Sequence, residues 1–276
     1  MLLRFTKMHG LGNDFVMIDG INQRVQLSSE QIKALADRRF GVGADQVLLL
    51  EAPQSDDADF RYRIFNADGT EVENCGNGAR CFAKFARDRQ LTGKSVIVAE
   101  TCSSRMTLRI QDNGDVTVDM GAPVLQPERI PYIAEHRQDT YRLPLPDCEI
   151  EIAAVSMGNP HAVMLVDAVD QAPVAHLGPL IEKHEYFPQG VNAGFMAVNS
   201  RSDINLRVYE RNVGETLACG TGACAAVVAG RIQGLLDEKI QVNLPGGRLQ
   251  ISWQGEGDSV WMTGPASTVY HGQIRL

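Results

Sequence analysis

Two stretches of this sequence can be laid over one another without a gap. RIFNADGTEVENCGNGA, from Arg63, aligns with RVYERNVGETLACGTGA, from Arg207. Arg63 pairs with Arg207, Phe65 with Tyr209, Asn66 with Glu210, Cys75 with Cys219 and Gly78 with Gly222, at an offset of 144 residues. Looser matches keep the same order: GNDFVMID at Gly12 with GNPHAVMLVD at Gly158, and GVGADQVLLL at Gly41 with GVNAGFMAVN at Gly190. An ordered series of matches half a chain apart is the mark of a duplicated domain, and it restricts the fold to two similar halves.

Within each half, short apolar runs read as strands. In the first they fall at Asp14–Ile18, Gln46–Leu50, Arg61–Phe65, Val96–Ala99, Met106–Ile110 and Val116–Asp119. In the second they fall at Ala162–Val166, Phe195–Val198, Leu206–Tyr209, Ile240–Val242, Leu249–Trp253 and Val260–Met262. SSEQIKALADRRF reads as a helix capped by Ser28 or Ser29, and GARCFAKFARD as a second helix just after Cys75. Helices are also expected at Pro173–Lys183 and Thr221–Gln233. The class is α+β, with residues 1–120 plus 264–276 as one lobe and 121–263 as the other. The Pro-rich run Gly121–Pro131 is expected to be the linker, and the tail from about Gly264 to return to the first half.

Net charge is −8 over 276 residues with a sequence pI near 5.3. That balance argues against a nucleic-acid partner or an anionic membrane. No apolar run approaches the roughly 18 residues of a membrane span. The N-terminus lacks the apolar core of a signal peptide, so the expected location is the cytoplasm. Reduced cysteines follow from that location. Neither Cys75 and Cys81 nor Cys219 and Cys224 has the spacing of a zinc ribbon, and no metal site is expected. Free cysteine is usually packed as a small buried hydrophobe, the expectation for Cys81, Cys102, Cys148 and Cys224.

Cys75 and Cys219 call for a different reading. Each precedes Gly-x-Gly-Ala and the start of a helix. A helix start leaves backbone N–H groups without partners and binds carboxylates. Glycines let a ligand approach that backbone closely. A thiol there is expected to have a lowered pKa and to act as a base near neutrality. Two such sites facing one another, one from each half, suit a reaction with a base on each face of one carbon. Racemisation of an amino acid is such a reaction, with the amide cradle stabilising charge on the α-carboxylate. Neither copy has the Lys-Ser/Thr of a phosphate loop, and neither has the Cys-x-x-Cys of a redox pair.

Across nearly its whole length the chain resembles the diaminopimelate epimerases. The resemblance rests on KMHGLGNDFV at Lys7, RRFGVGADQ at Arg38, YRIFNADG at Tyr62, CGNGARC at Cys75, MGNPHAV at Met157, RVYERNVGET at Arg207, ACGTGACA at Ala218 and LPGGRL at Leu244. It implies two pseudo-symmetric lobes, each a strand-rich sheet curled around a central helix, with the active site in the cleft between them. It implies conversion of LL-2,6-diaminopimelate to the meso form, in lysine and cell-wall precursor synthesis, without pyridoxal phosphate or metal, by a homodimer. Cys75 and Cys219 become the acid/base pair, and His161 and Glu210 orient or tune it. Gly76, Asn77, Gly220 and Thr221 become the cradle of the reacting α-carboxylate. Asn13, Gln46, Asn66, Asn159, Asn192 and Arg211 become the grip on the remaining polar groups. Asn212 departs from the family pattern, which commonly has a small residue there. A proline or hydroxyproline racemase uses similar two-thiol logic, but proline offers no second carboxylate to Arg211, Asn66 and Asn192. A binding protein that kept the fold and lost the chemistry is the alternative outside catalysis.

Overall fold

The computed structural model describes residues 2–72, 75–102 and 104–276. Glu73 and Asn74 of the first glycine motif, and Ser103, lie outside the described residues. The chain separates into two compact units, Met1–Asp119 with Thr263–Leu276, and Met120–Met262.

The first unit opens with β1 (Leu2–Gly10) and β2 (Asn13–Asp19), an antiparallel hairpin in which Gly10 faces Asn13. Its two turn residues, Leu11 and Gly12, have φ of 57° and 91°. This mirror-image turn matches the strand twist and delivers Asn13 to the start of β2. Helix α1 (Ser29–Ala36) is capped by Ser28 in a capping box with Gln31, and buries Ile32, Leu35 and Ala36. β3 (Gln46–Glu51) lies parallel to β2, and β4 (Phe60–Asn66) antiparallel to β3. β5 (Glu71–Val72) folds back on β4. Then comes helix α2 (Gly76–Asp88), whose first eight residues are all buried. β6 (Val96–Glu100) runs parallel to β4 and continues into β7 (Arg105–Ile110) and β8 (Val116–Asp119).

The second unit repeats this series. β9 (Tyr141–Pro144) pairs with β10 (Glu149–Ser156), which pairs with β11 (Pro160–Leu165). After α3 (Val174–Glu182) the chain forms β12 (Asn192–Ser200), parallel to β11, and β13 (Asp203–Glu210), antiparallel to β12. β14 (Gly214–Thr216) folds back on β13, as β5 does on β4. Helix α4 (Gly220–Ile232) is buried on nearly every side from Gly222 to Gly230, as a central helix must be. β15 (Lys239–Leu244) runs parallel to β13 and hairpins into β16 (Gly247–Ser252), followed by β17 (Trp261–Gly264). β18 (Ser267–Arg275) pairs along the length of β1 in the first unit.

The duplication is therefore structural. The order strand, helix, parallel strand, antiparallel strand, short return strand, buried helix, parallel strand occurs twice. A paired ion bridge marks it: Arg63 clamps Glu71 with two contacts of 2.8 Å, and Arg207 clamps Glu215 at 2.6 and 2.9 Å. Each ties a short return strand to its partner, so the chain arrives at Cys75 and Cys219 from equivalent hairpins.

Three expectations need correction. The Gly121–Pro131 run is packed: Val124 bridges Ser156, and Ile130 lies fully buried in the second unit's core. Its prolines are compatible with a buried irregular path, because Ile130 anchors it. Cys102 and Cys148 are exposed, while Cys81 and Cys224 are buried within α2 and α4. The last short strand begins at Trp261 rather than Val260. Among the described residues no helix is long and apolar enough to cross a membrane, and no cluster of side chains is arranged to hold a metal ion.

Candidate active site

In the first unit Cys75 is the N-cap of α2, and its sulfur accepts from the backbone N–H of Gly78 at 3.4 Å. The tight start of α2 requires glycine at residue 78. A Cβ there would lie 2.4 Å from the Tyr62 hydroxyl, which itself donates to the Cys75 carbonyl at 3.3 Å. The Asn13 Oδ1 is 3.7 Å from the Cys75 sulfur and accepts from Asn77 Nδ2 at 3.3 Å. Cys75, Gly76, Asn77 and Asn13 thus come together. Gln46 and Asn66, cross-strand partners on β3 and β4, form a separate pair through Gln46 Nε2 and Asn66 Oδ1 at 2.9 Å. The Gln46 Oε1 is buried without a hydrogen-bond partner among the described residues.

In the second unit Cys219 caps α4 and is 4% exposed. Its sulfur is 3.6 Å from the Thr221 hydroxyl. Thr221 in turn accepts from Asn159 Nδ2 at 3.4 Å, and Asn159 Oδ1 meets the His161 Nε2 at 3.1 Å. The Glu210 carboxylate lies close enough to Cys219 to act on it directly, and is held by the Thr216 hydroxyl at 2.5 Å. Asn192 is buried and bridges two backbone groups, the Pro160 carbonyl at 3.1 Å and the Arg211 N–H at 2.8 Å. It orders the strand end that carries Arg211. The Arg211 Nη1 donates to the Gln189 carbonyl at 2.8 Å. Asn212 has φ of 62°, a conformation open to asparagine and easier for glycine.

The expected low thiol pKa is not what Cys219 has. Burial pushes it well above its ordinary value, and the Glu210 carboxylate pushes in the same direction. The Thr221 hydroxyl and the Gly222 N–H pull it down, but by less. The helix start is a small electrostatic benefit; removal from water is the larger cost. His161, fully buried, is pushed down to about 3 by burial and then by the Arg211 charge, so it is a neutral imidazole.

Sequence reasoning passed over a charged cluster behind Asn13. Asp14 takes both guanidinium nitrogens of Arg38, at 3.0 and 2.7 Å, and the Lys7 ammonium at 2.6 Å. Burial raises the Asp14 pKa, yet the Arg38 and Lys7 hydrogen bonds outweigh it and hold the carboxyl below the usual range. Asp45 accepts from Arg38 at 2.7 Å and from Asn13 Nδ2 at 2.9 Å. The signal was the charge density of RRFGVGADQ, a glycine-rich run with two arginines and an aspartate.

The duplicated α+β architecture recurs in solved structures. A PhzF-family phenazine biosynthesis protein from Bacillus anthracis is similar with a TM-score of 0.71 at 16% identity, covering 100% of both chains. A hydroxyproline epimerase from Agrobacterium vitis is similar with a TM-score of 0.69 at 16% identity, covering 99% of this chain and 92% of that one. These likenesses define the class, a duplicated fold that carries a buried helix in each repeat. A family profile described as diaminopimelate epimerase matches residues 5–126 and 153–269. A relative named diaminopimelate epimerase, from Teredinibacter turnerae, is 62% identical over 276 residues, all of both sequences. The chain belongs to the diaminopimelate epimerase family.

Proposed function

We propose that this chain converts LL-2,6-diaminopimelate to meso-2,6-diaminopimelate by a two-base mechanism that needs no cofactor. The observation that carries the reading is the pair of cysteine-capped, glycine-rich helix starts at equivalent places of the repeat, in a member of this family. Epimerisation at one carbon needs a proton removed from one face and another returned to the opposite face. Two thiols supply both if the substrate carbon is held between them. Toward the meso product Cys219 takes the proton and Cys75 returns one; in reverse the roles exchange.

The N–H groups of Gly76, Asn77, Gly220 and Thr221, at the starts of α2 and α4, suit a carboxylate on which negative charge grows. The raised pKa of Cys219 keeps it protonated until substrate arrives. The substrate's α-ammonium, beside the thiol, favours loss of that proton, and Thr221 stabilises the resulting thiolate. Glu210 and neutral His161 act on Cys219 and on Asn159. The buried Gln46 Oε1 offers an acceptor to a substrate ammonium, and Arg211 a cation to the distal carboxylate. We assign the enzyme to the cytoplasm, to the supply of lysine and cell-wall precursors, and to a homodimeric assembly. Sedimentation at micromolar concentration checks the last.

The test is chromatographic separation of diaminopimelate isomers after incubation of LL substrate with purified enzyme and reductant. Appearance of the meso isomer, with L-proline left unchanged, is the expected result. Racemisation of proline without action on diaminopimelate would reassign the substrate.

A further inference from the structure

The turn that carries Arg211 is held from outside itself. It joins β13 to β14, with the Val213 N–H bonded to the Glu210 carbonyl at 3.1 Å and Asn212 at a φ of 62°. The peptide group before Arg211 is fixed by the buried Asn192, whose Oδ1 accepts the Arg211 N–H at 2.8 Å. The peptide group after it is fixed by Glu182, whose Oε1 accepts the Asn212 N–H at 2.8 Å. The Arg211 stem passes close over Gly190, where φ is 72° and an added Cβ would sit 3.0 Å from the arginine Cδ. The matching turn of the first unit holds itself. There Asp68 Oδ1 accepts from the Thr70 N–H at 2.9 Å and from the Thr70 hydroxyl at 2.6 Å, and the residue aligned with Arg211 is Ala67.

Packing and helix stability do not explain Glu182. It is the last residue of α3 and is 5% exposed. A carboxylate at a helix C-terminus meets the negative end of the helix dipole, and burial disfavours it further. Among the described residues it has no ion-pair partner to offset either cost. What the side chain does have is the hydrogen bond to Asn212, an N–H donating to a carboxylate, which is stronger than a bond between neutral groups. The Glu182 backbone carbonyl also accepts the Val191 N–H at 3.1 Å, so the same residue fixes the approach to Asn192.

We infer that Glu182 is a positioning residue for Arg211: by holding the Asn212 N–H it sets the backbone from which the guanidinium meets the substrate's distal carboxylate. This rests on the proposed role of Arg211 in gripping that carboxylate. Glu210, on the same turn, is held separately by the Thr216 hydroxyl at 2.5 Å. Loss of the Glu182 bond therefore falls on the binding of the far end of the substrate and spares the proton transfers at the reacting carbon.

The test replaces Glu182 and reads turnover of LL-diaminopimelate beside hydrogen exchange of the free enzyme. Glu182→Met keeps the volume and removes the acceptor. It is expected to raise KM about 10-fold with kcat within about 2-fold of wild type, the pattern of lost binding that is equal in ground and transition states. Glu182→Gln keeps an oxygen for the Asn212 N–H and is expected to stay near wild type. Glu182→Asp keeps the charge but withdraws the acceptor by one methylene; it is expected to raise KM as well, and it carries the test should the methionine variant not fold. In an Arg211→Lys background, where the two-pronged grip is already lost, Glu182→Met is expected to raise KM less than about 2-fold further. Without substrate, the amides of residues 211–213 are expected to exchange about 10-fold faster in Glu182→Met than in wild type or Glu182→Gln. A folded Glu182→Met with wild-type KM and unchanged exchange would overturn the inference. So would an equal rise in KM with and without Arg211, which is what general loosening gives. Because exchange is read without substrate, a wild-type enzyme inert toward diaminopimelate would overturn the proposed function and leave the hold of Glu182 on the turn measurable.

Discussion

Gly78 and Gly222 are matched residues, yet an added methyl group meets different neighbours at each. At Gly78 it meets the buried Tyr62 hydroxyl at 2.4 Å and Leu48 at 3.0 Å. At Gly222 it meets Val208 at 3.0 Å and the Cys219 sulfur at 3.2 Å. Gly78→Ala is therefore expected to cost stability, about 1–3 kcal/mol in urea unfolding, because Tyr62 has nowhere to go. Gly222→Ala is expected to cost less stability, because Val208 and Cys219 need to yield by only a few tenths of an ångström, and to lower kcat by displacing the sulfur proposed as the base. His161 carries a prediction about acid. Its pKa is near 3 in the fold and about 6.5 when unfolded, so the unfolded chain binds the extra proton between those values. The stability it contributes is present above about pH 6.5 and is lost as pH falls toward 3. Wild type should lose up to about 1.4 kcal/mol per pH unit more than His161→Gln across that window, read as the pH slope of the urea midpoint. The thiols and their glycines were legible in the sequence because the repeat prints them twice. Asp45 and Lys7 were not, because their contacts with Asn13 and with the Gly43 carbonyl join residues distant in the chain. The direction of the Cys219 pKa was misread for a related reason: the sequence displays the helix start but not the depth of burial.

At the scale of elements, the central strands and helices were readable and the edges were not. β2, β3, β4 and α2 have apolar runs long enough to declare themselves, and all are found within two residues of the expected bounds. β1 was missed because Thr6, Lys7 and His9 interrupt its apolar pattern, although Thr6 and Lys7 are buried. β10 opens with exposed charge at Glu149 and Glu151 before its buried half. β18 is mostly exposed and looks like tail. α2 anchors the first unit through Phe82, fully buried, with its ring centroid 4.7 Å from that of Tyr62 and 6.2 Å from that of Phe60. Phe82→Ala is expected to cost about 3–5 kcal/mol in denaturant unfolding. It should also lower activity at temperatures where the unit remains folded, because Tyr62 links this cluster to the Cys75 carbonyl.

At the scale of the whole molecule, the first unit is closed by the end of the chain, since β18 covers β1 over nearly its full length. Deleting residues 267–276 leaves β1 with an open edge and Phe5 without the strand against which Gly272 packs. The truncated protein is expected to melt several degrees lower and to aggregate on heating, checked by calorimetry and light scattering. The duplication also frames the chemistry: each unit brings one thiol, one helix start and one amide beside it, and the proposal requires both thiols for one product. The most direct measurement is proton NMR of LL-diaminopimelate with enzyme in D2O, under reducing conditions and without added cofactor, for wild type, Cys75→Ala and Cys219→Ala. The account predicts deuterium at the α-carbon that inverts, with growth of the meso isomer, in wild type alone. Wild-type rates of meso formation in either alanine variant would contradict the two-base mechanism.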